Sequence, residues 1–354
     1  MTTYIIAEAG VNHNGSFEMA KQLVDVAKEA GADAVKFQTF KAENIVTKDA
    51  KQADYQVENL KESTSQFEML KKLELSFEEF FALQKYCDNK GIEFLSTPFD
   101  YESVDFLFDD LHIKTAKIPS GELTNAPFIY EIAKKKKQII VSTGMATVED
   151  IHEALSYIAF GLANLTNMEQ VKEFYITREA KQLLQQYVTV LHCTTEYPAS
   201  FDTINLNAMA TLKREFNVRI GLSDHSSGIA IPIAAVALGA TIIEKHFTLD
   251  KTLEGPDHIA SLEPKELKQM IEQIRQIEVA LGDGIKRPSE VELKNRVPAR
   301  KSLVASKGIK KGDIFTKENL TVKRPGNGLD PSKYWVYLGK QAQKSYEQDE
   351  LIDE

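Results

Sequence analysis

Eight short apolar, β-branched runs, each ending in polar and chemically capable side chains, punctuate residues 1–250, and this rhythm restricts the fold more than any other feature of the chain. The runs cover 4–10, 34–40, 93–99, 115–121, 138–144, 188–193, 218–224 and 241–247. Helix-length amphipathic stretches such as 17–30, 77–89 and 147–160 lie between them. Regular alternation of this kind predicts parallel βαβ units, and eight right-handed crossovers in about 250 residues fit a closed (β/α)8 TIM barrel better than an open sheet. The turn after the first run, Gly10-Val11-Asn12-His13-Asn14-Gly15, lacks the glycine spacing of a dinucleotide-binding loop. The last two runs end in His225 and His246.

The pattern changes near residue 283. A predicted helix over 264–281 gives way to Gly282-Asp283-Gly284, Arg287-Pro288 and Val297-Pro298. We therefore read residues 1–283 as the barrel domain, 284–299 as a linker and 300–354 as a small C-terminal domain of short strand-like pieces at 302–305, 314–315, 320–323 and 334–338. A domain of this size needs support from something larger. Two segments break the barrel rhythm: a polar excursion over 41–75, placed to act as a lid, and an inserted helical hairpin over 162–186.

A net charge of −9 argues against a nucleic-acid partner. The lysine run 134–137 reads as a solvated helix end, where cations meet the negative end of the dipole. Neither a membrane-length apolar stretch nor a basic, apolar leader is evident, so the expectation is a cytoplasmic protein with no membrane partner. Two cysteines, Cys87 and Cys193, have no metal or redox spacing and are expected to be reduced.

Side chains alternate across a strand, so Ile6, Glu8 and Gly10 share one face, as do Lys36 and Gln38, Gly221 with Ser223 and His225, and Glu244 with His246. In barrels the inward residues at the C-terminal strand ends build the site. If His246 enters it, Lys245 must point away, towards the helices or the rim. Two imidazoles ending adjacent strands can hold a divalent ion with open positions for water and a substrate oxygen, suited to Lewis-acid polarisation of a carbonyl. The residues do not choose between manganese, magnesium and zinc. Lys36 and Lys117 interrupt apolar strands, so each has either a structural carboxylate partner or an anionic ligand. Hydroxyls at other strand ends, among them Ser120, Ser142, Thr195 and Ser223, can complete a phosphate or carboxylate site. Glu8 and Glu122 are the candidate general acid and base, with a structural pairing to Lys36 or Lys117 as the competing role.

Read in order, Glu8-Ala9-Gly10-Val11-Asn12-His13-Asn14-Gly15, Lys36-Phe37-Gln38-Thr39, Ser96-Thr97-Pro98-Phe99, Lys117-Ile118-Pro119-Ser120-Gly121-Glu122, Ser142-Thr143-Gly144-Met145, His192-Cys193-Thr194-Thr195-Glu196-Tyr197-Pro198, Ser223-Asp224-His225, Glu244-Lys245-His246-Phe247 and Gly255-Pro256-Asp257 closely resemble the N-acetylneuraminate (sialic acid) synthase family. Lys323-Arg324-Pro325-Gly326-Asn327-Gly328 resembles that family's antifreeze-like, or SAF, domain. The resemblance implies condensation of phosphoenolpyruvate with an N-acylated mannose-type sugar, giving a nine-carbon 2-keto sugar acid and phosphate by C–O cleavage. It implies catalytic roles for Glu8, Glu122 and Lys36, and phosphoenolpyruvate contacts from Lys36, Lys117, Ser120, Ser142, Thr195 and Ser223. It places Gln38, Tyr197 and Asp257 at the substrates and a divalent metal on His225 and His246. Manganese comes first for that metal, with magnesium or cobalt as alternatives. Some members carry Asn where Thr195 stands; a threonine hydroxyl can still hydrogen-bond phosphate. The resemblance further implies a homodimer with exchanged C-terminal domains, in which Arg324 reaches the partner's barrel.

On this reading N-acetylmannosamine is the first acceptor, making the chain an N-acetylneuraminate synthase. Legionaminate synthases, which use 2,4-diacetamido-2,4,6-trideoxymannose, resemble the chain about as well, and pseudaminate synthases are more distant. The deciding side chains are expected in the loops 48–66 and 250–258. From other classes, a metal-dependent aldolase on the same barrel and a catalytically silent carbohydrate-binding protein remain as alternatives.

Overall fold

The computed structural model describes residues 2–60 and 64–353. Two compact units divide the chain, Met1–Gly282 and Asp283–Glu354. In the first, eight parallel strands follow one another: β1 (Tyr4–Gly10), β2 (Ala34–Thr39), β3 (Glu93–Pro98), β4 (Thr115–Ile118), β5 (Gln138–Ser142), β6 (Val188–Cys193), β7 (Arg219–Asp224) and β8 (Ile242–His246). Their hydrogen-bonded order is β3-β2-β1-β8-β7-β6-β5-β4, and the first strand pairs with the last, Tyr4 against Ile242 through Glu8 against His246. β3 and β4 end that order and lie side by side, so the sheet forms a nearly closed (β/α)8 barrel.

The helices between strands follow from local sequence. In Phe17–Ala30 the buried positions are Ala20, Leu23, Val24, Ala27 and Ala30, a single stripe at helical spacing that lies on the barrel. Ser16 caps its start by accepting from the Met19 N–H, and Gly31 ends it in the left-handed region at φ 89°. Ser76 with Glu79, and Thr147 with Asp150, form capping boxes that start the helices Phe77–Lys90 and Val148–Leu162. Inside the barrel, Ile6, Ala34, Leu95, Ile140 and Leu191 fill an apolar layer. This layer plugs the barrel beneath the polar inward residues of the C-terminal strand ends.

The excursion after β2 forms short helices, Ala42–Ile45, Asp54–Leu60 and Gln66–Leu73. Residues 61–63, which belong to the loop expected to help choose the acceptor, lie outside the described residues. The segment before β6 carries two helices, Val171–Tyr175 and Arg178–Tyr187, as the expected hairpin. Both cysteines are free and buried. No helix among the described residues is long and apolar enough to cross a membrane.

In the second unit, β9 (Ser302–Ala305) pairs antiparallel with β10 (Leu320–Lys323) over a small core that includes Leu303, Phe315, Leu320 and Ile352. Two expectations are corrected here. Residues 334–338 are not strand-like: Asp330 caps a turn opened by Pro331, and Tyr334–Tyr337 continues it as a helix. The stretch read as a linker contains the helix Glu290–Ala299, started by a Ser289–Glu292 capping box, with Pro298 falling in its final turn, where it ends the helix.

Candidate active site

Every site residue expected in the first unit lines one cavity of about 330 Å3 at the C-terminal ends of the strands. Glu8 comes from β1, Lys36 and Gln38 from β2, Lys117 from β4, Ser142 from β5, Ser223 from β7 and His246 from β8. Ser120 and Glu122 stand on the 3-10 turn after β4, Thr195 and Tyr197 on the loop after β6, His225 just beyond β7, and Asp257 on the loop after β8. Arg324 belongs to the second unit, where it is exposed and its Nε donates to the Ala299 carbonyl.

At the base, two lysines and two carboxylates are buried together. Lys36 Nζ lies 2.6 Å from Glu8 Oε2, donates to Thr97 Oγ1 at 3.0 Å, and stands 3.6 Å from Glu244 Oε2. Lys117 Nζ is 2.8 Å from Glu244 Oε1, which also accepts from Ser223 Oγ at 2.8 Å. Strand parity had put Glu244 on the inward face, but its place as the hub of both lysines was missed. The pairing partner of Lys117 is Glu244, not Glu122.

These contacts set the protonation states. Burial pushes the Glu8 carboxyl up to about 7 against the pull of Lys36, and Glu244 adds to the rise. Burial also opposes ionisation of Glu244, but Lys117, Lys36 and the Ser223 hydroxyl outweigh it and hold that carboxyl well below the usual range. The cluster therefore has one permanent anion, Glu244, and one carboxyl poised near neutrality, Glu8. Glu122 is half-exposed at the rim, its Oε2 accepting from Asn125 Nδ2 at 2.7 Å.

The two imidazoles face each other with ring centroids 5.4 Å apart. His225 Nδ1 donates to the Thr194 carbonyl at 2.6 Å, which leaves Nε2 as the nitrogen with a free lone pair. Tyr197 stacks on the His225 ring at 4.0 Å and fixes its plane. His246 Nδ1 is buried with no hydrogen-bond partner and lies 4.0 Å from Asp257 Oδ2. Burial, His225 and Lys36 keep His246 neutral, pushing its pKa well below the usual imidazole value. Burial opposes protonation of His225, but Cys193 and the Thr194 carbonyl outweigh it and raise its pKa, so only His246 is held neutral. Two oriented imidazoles with an unpartnered buried nitrogen suit a divalent cation, which would displace the His225 proton. Among the described residues no third His, Cys, Asp or Glu joins them in a metal-binding group, so such an ion would keep positions for water and substrate oxygen.

Beside β4 and β5 the hydroxyls converge. Ser120 Oγ accepts from the Gly144 N–H at 2.9 Å, a Cβ at Gly144 would run into both Ser120 and Thr195, and the buried Ser142 hydroxyl has no partner. With Lys117 nearby on the cavity wall, this is an anion-binding corner. Lys245 points away from the cavity, as parity required: it is fully buried, 2.6 Å from Asp224 Oδ2 and bonded to the Ser226 carbonyl.

A barrel with paired lysines, an oriented histidine pair and converging hydroxyls at one end has the make-up of an enzyme site for an anionic substrate. Comparison with known proteins matches residues 23–286 to the NeuB family and residues 300–353 to the SAF domain. The N,N'-diacetyllegionaminic acid synthase of Campylobacter jejuni is 52% identical over 99% of both chains, and that of Legionella pneumophila 47% identical over 96% of this chain and 90% of its own. The crystal structure of N-acetylneuraminic acid synthetase from Leptospira borgpetersenii, in complex with citrate, superposes with a TM-score of 0.67 and 32% identity, covering 83% of this chain and 90% of that one. The chain belongs to the NeuB family. It is a phosphoenolpyruvate-dependent nonulosonic acid synthase, condensing that substrate with an acylated amino sugar. The higher identities fall on the legionaminic acid enzymes, the reading placed second from sequence, and not on the sialic acid enzyme placed first.

Proposed function

We propose that the chain is an N,N'-diacetyllegionaminate synthase, joining phosphoenolpyruvate to 2,4-diacetamido-2,4,6-trideoxymannose. The observation that carries this reading is the 52% identity over 99% of both chains with the C. jejuni enzyme of that name. Lys36, Lys117, Ser120, Ser142, Thr195 and Ser223 bind the phosphate and carboxylate of phosphoenolpyruvate, with Lys36 also acting in the chemistry. An incoming anion competes with Glu8 and Glu244 for the two ammonium groups. Glu8, poised near 7, can answer by taking up a proton, which keeps the cluster's charge balanced.

His225 and His246 would hold a divalent ion, manganese before magnesium or cobalt, which when bound supplies Lewis-acid polarisation of the open-chain aldehyde. Carbon C3 of phosphoenolpyruvate forms the new bond to the aldehyde carbon. The aldehyde oxygen takes a proton, water adds at C2, and phosphate leaves with the bridging oxygen. Glu8 is paired in register with His246, so it stands beside the carbonyl and donates that proton. Glu122, nearer solvent, assists the water. Gln38, Tyr197 and Asp257 orient the acceptor. A homodimer with exchanged second units brings Arg324 to the partner's acceptor site; a barrel cut before Arg300 that stays fully active as a monomer contradicts the exchange.

Competing kcat/KM values for 2,4-diacetamido-2,4,6-trideoxymannose and N-acetylmannosamine, with product masses, test the assignment. Preference for the first by an order of magnitude or more supports it, since a site shaped for one substituent pattern penalises the other. Preference for N-acetylmannosamine contradicts it.

A further inference from the structure

The cavity has one face that neither the condensation chemistry nor the anion corner uses. Ile45, Val46, Met69, Leu70, Leu73 and Phe99 line it with apolar side chains, most of them supplied by the short helices Ala42–Ile45 and Gln66–Leu73. Met69 and Leu73 are buried against Val11 and Phe40, and so hold these helices on the barrel. Ile45, Val46 and Leu70 remain half-buried while lining the cavity, so apolar surface is left over after the lid's own core is filled. The lid is also tied to the opposite rim, because Asn59 Nδ2 donates to the Pro256 carbonyl at 2.6 Å, next to Asp257.

We infer that this wall, through the half-buried Leu70 and Ile45, selects an acceptor whose terminal carbon is a methyl group and rejects one bearing a hydroxyl there. The inference rests on the proposed acceptor and deepens it. The reacting aldehyde belongs at the strand ends beside His225 and His246, and an open-chain sugar held there runs outward, so its far carbon meets the mouth. A methyl group against the wall loses only apolar contact with water. A hydroxymethyl group gives up its hydrogen bonds to water and finds no partner among these side chains. Gln56 and Gln66, on the same lid, line the cavity too and are available to an acetamido group.

Because the two natural candidates differ at two carbons, the test uses a sugar that isolates one. The ratio of kcat/KM for N-acetyl-6-deoxymannosamine to that for N-acetylmannosamine reads the wall alone, and 2,4-diacetamido-2,4,6-trideoxymannose reads the proposed function. The expected ratio in the unaltered protein is about tenfold or more in favour of the deoxy sugar. Leu70→Ser should bring it towards unity and Leu70→Met should keep it, both with an unchanged circular dichroism spectrum and an unchanged KM for phosphoenolpyruvate. A ratio near unity in the unaltered protein, or one that Leu70→Ser leaves intact, overturns the wall. If the deoxy preference holds but the diacetamido sugar is a poor substrate, the wall stands and the proposed acceptor fails.

Discussion

Lys117 Nζ lies 2.8 Å from Glu244 Oε1 across the interior of the barrel, with both side chains about 5% exposed. β4 and β8 are opposite one another in the ring of strands, so this ion pair spans the base of the site and ties its two halves. Removing one partner leaves the other charge buried, a loss of about 3–5 kcal/mol, whereas replacing both with apolar groups is close to neutral. Glu244→Gln is therefore expected to lower the midpoint of thermal unfolding markedly. Lys117→Met combined with Glu244→Leu should regain most of the loss and still be inactive. Equal instability of single and double variants in denaturant titrations would show that the pair is not the source.

On the proposed mechanism Glu8 is expected to set the pH dependence of turnover. Its carboxyl, raised to about 7 by burial, must be protonated to donate to the aldehyde oxygen, so that form is present below 7 and is lost as pH rises. The predicted kcat/KM for the acceptor falls about tenfold per pH unit well above 7. Glu8→Gln should cost about 10²–10⁴ in rate and flatten that limb. A pH profile of Glu8→Gln with the alkaline limb preserved would assign it to another group.

Gly144 is confined by its neighbours. A Cβ there would stand 2.8 Å from Ser120 Oγ and closer still to Thr195 Oγ1. Gly144→Ala is expected to displace both hydroxyls and raise KM for phosphoenolpyruvate about tenfold or more, with a smaller effect on KM for the sugar. Steady-state kinetics with each substrate varied in turn checks this; equal effects on both would place the damage outside the anion corner.

The positions of Glu8, Lys36, Lys117, Ser223, His225 and His246 were legible because strand period and strand ends are local properties, readable one run at a time. Glu244 shows where that reading stops. Its inward direction followed from parity with His246, but its two lysine partners lie on β2 and β4, and only closure of the barrel brings them to it. The contact of His225 with Cys193, 3.9 Å from Nδ1 to Sγ, likewise joins adjacent strands that sequence spacing separates. In the second unit the misread pieces have a local cause. Tyr334-Trp335-Val336-Tyr337 has strand-like composition, but the capped turn before it starts a helix. The breakers near 288 and 298 obscured the Ser289–Glu292 signal of the helix between them.

Joint action of the histidine pair and the lysine–glutamate cluster in one metal-assisted condensing site is what the proposed mechanism requires. It is tested most directly by phosphate release from phosphoenolpyruvate, using EDTA-stripped protein with and without manganese and with and without 2,4-diacetamido-2,4,6-trideoxymannose. Release is expected only when metal and sugar are both present, and none from His246→Ala despite an unchanged circular dichroism spectrum. Undiminished release by the stripped protein, or by His246→Ala, would contradict it.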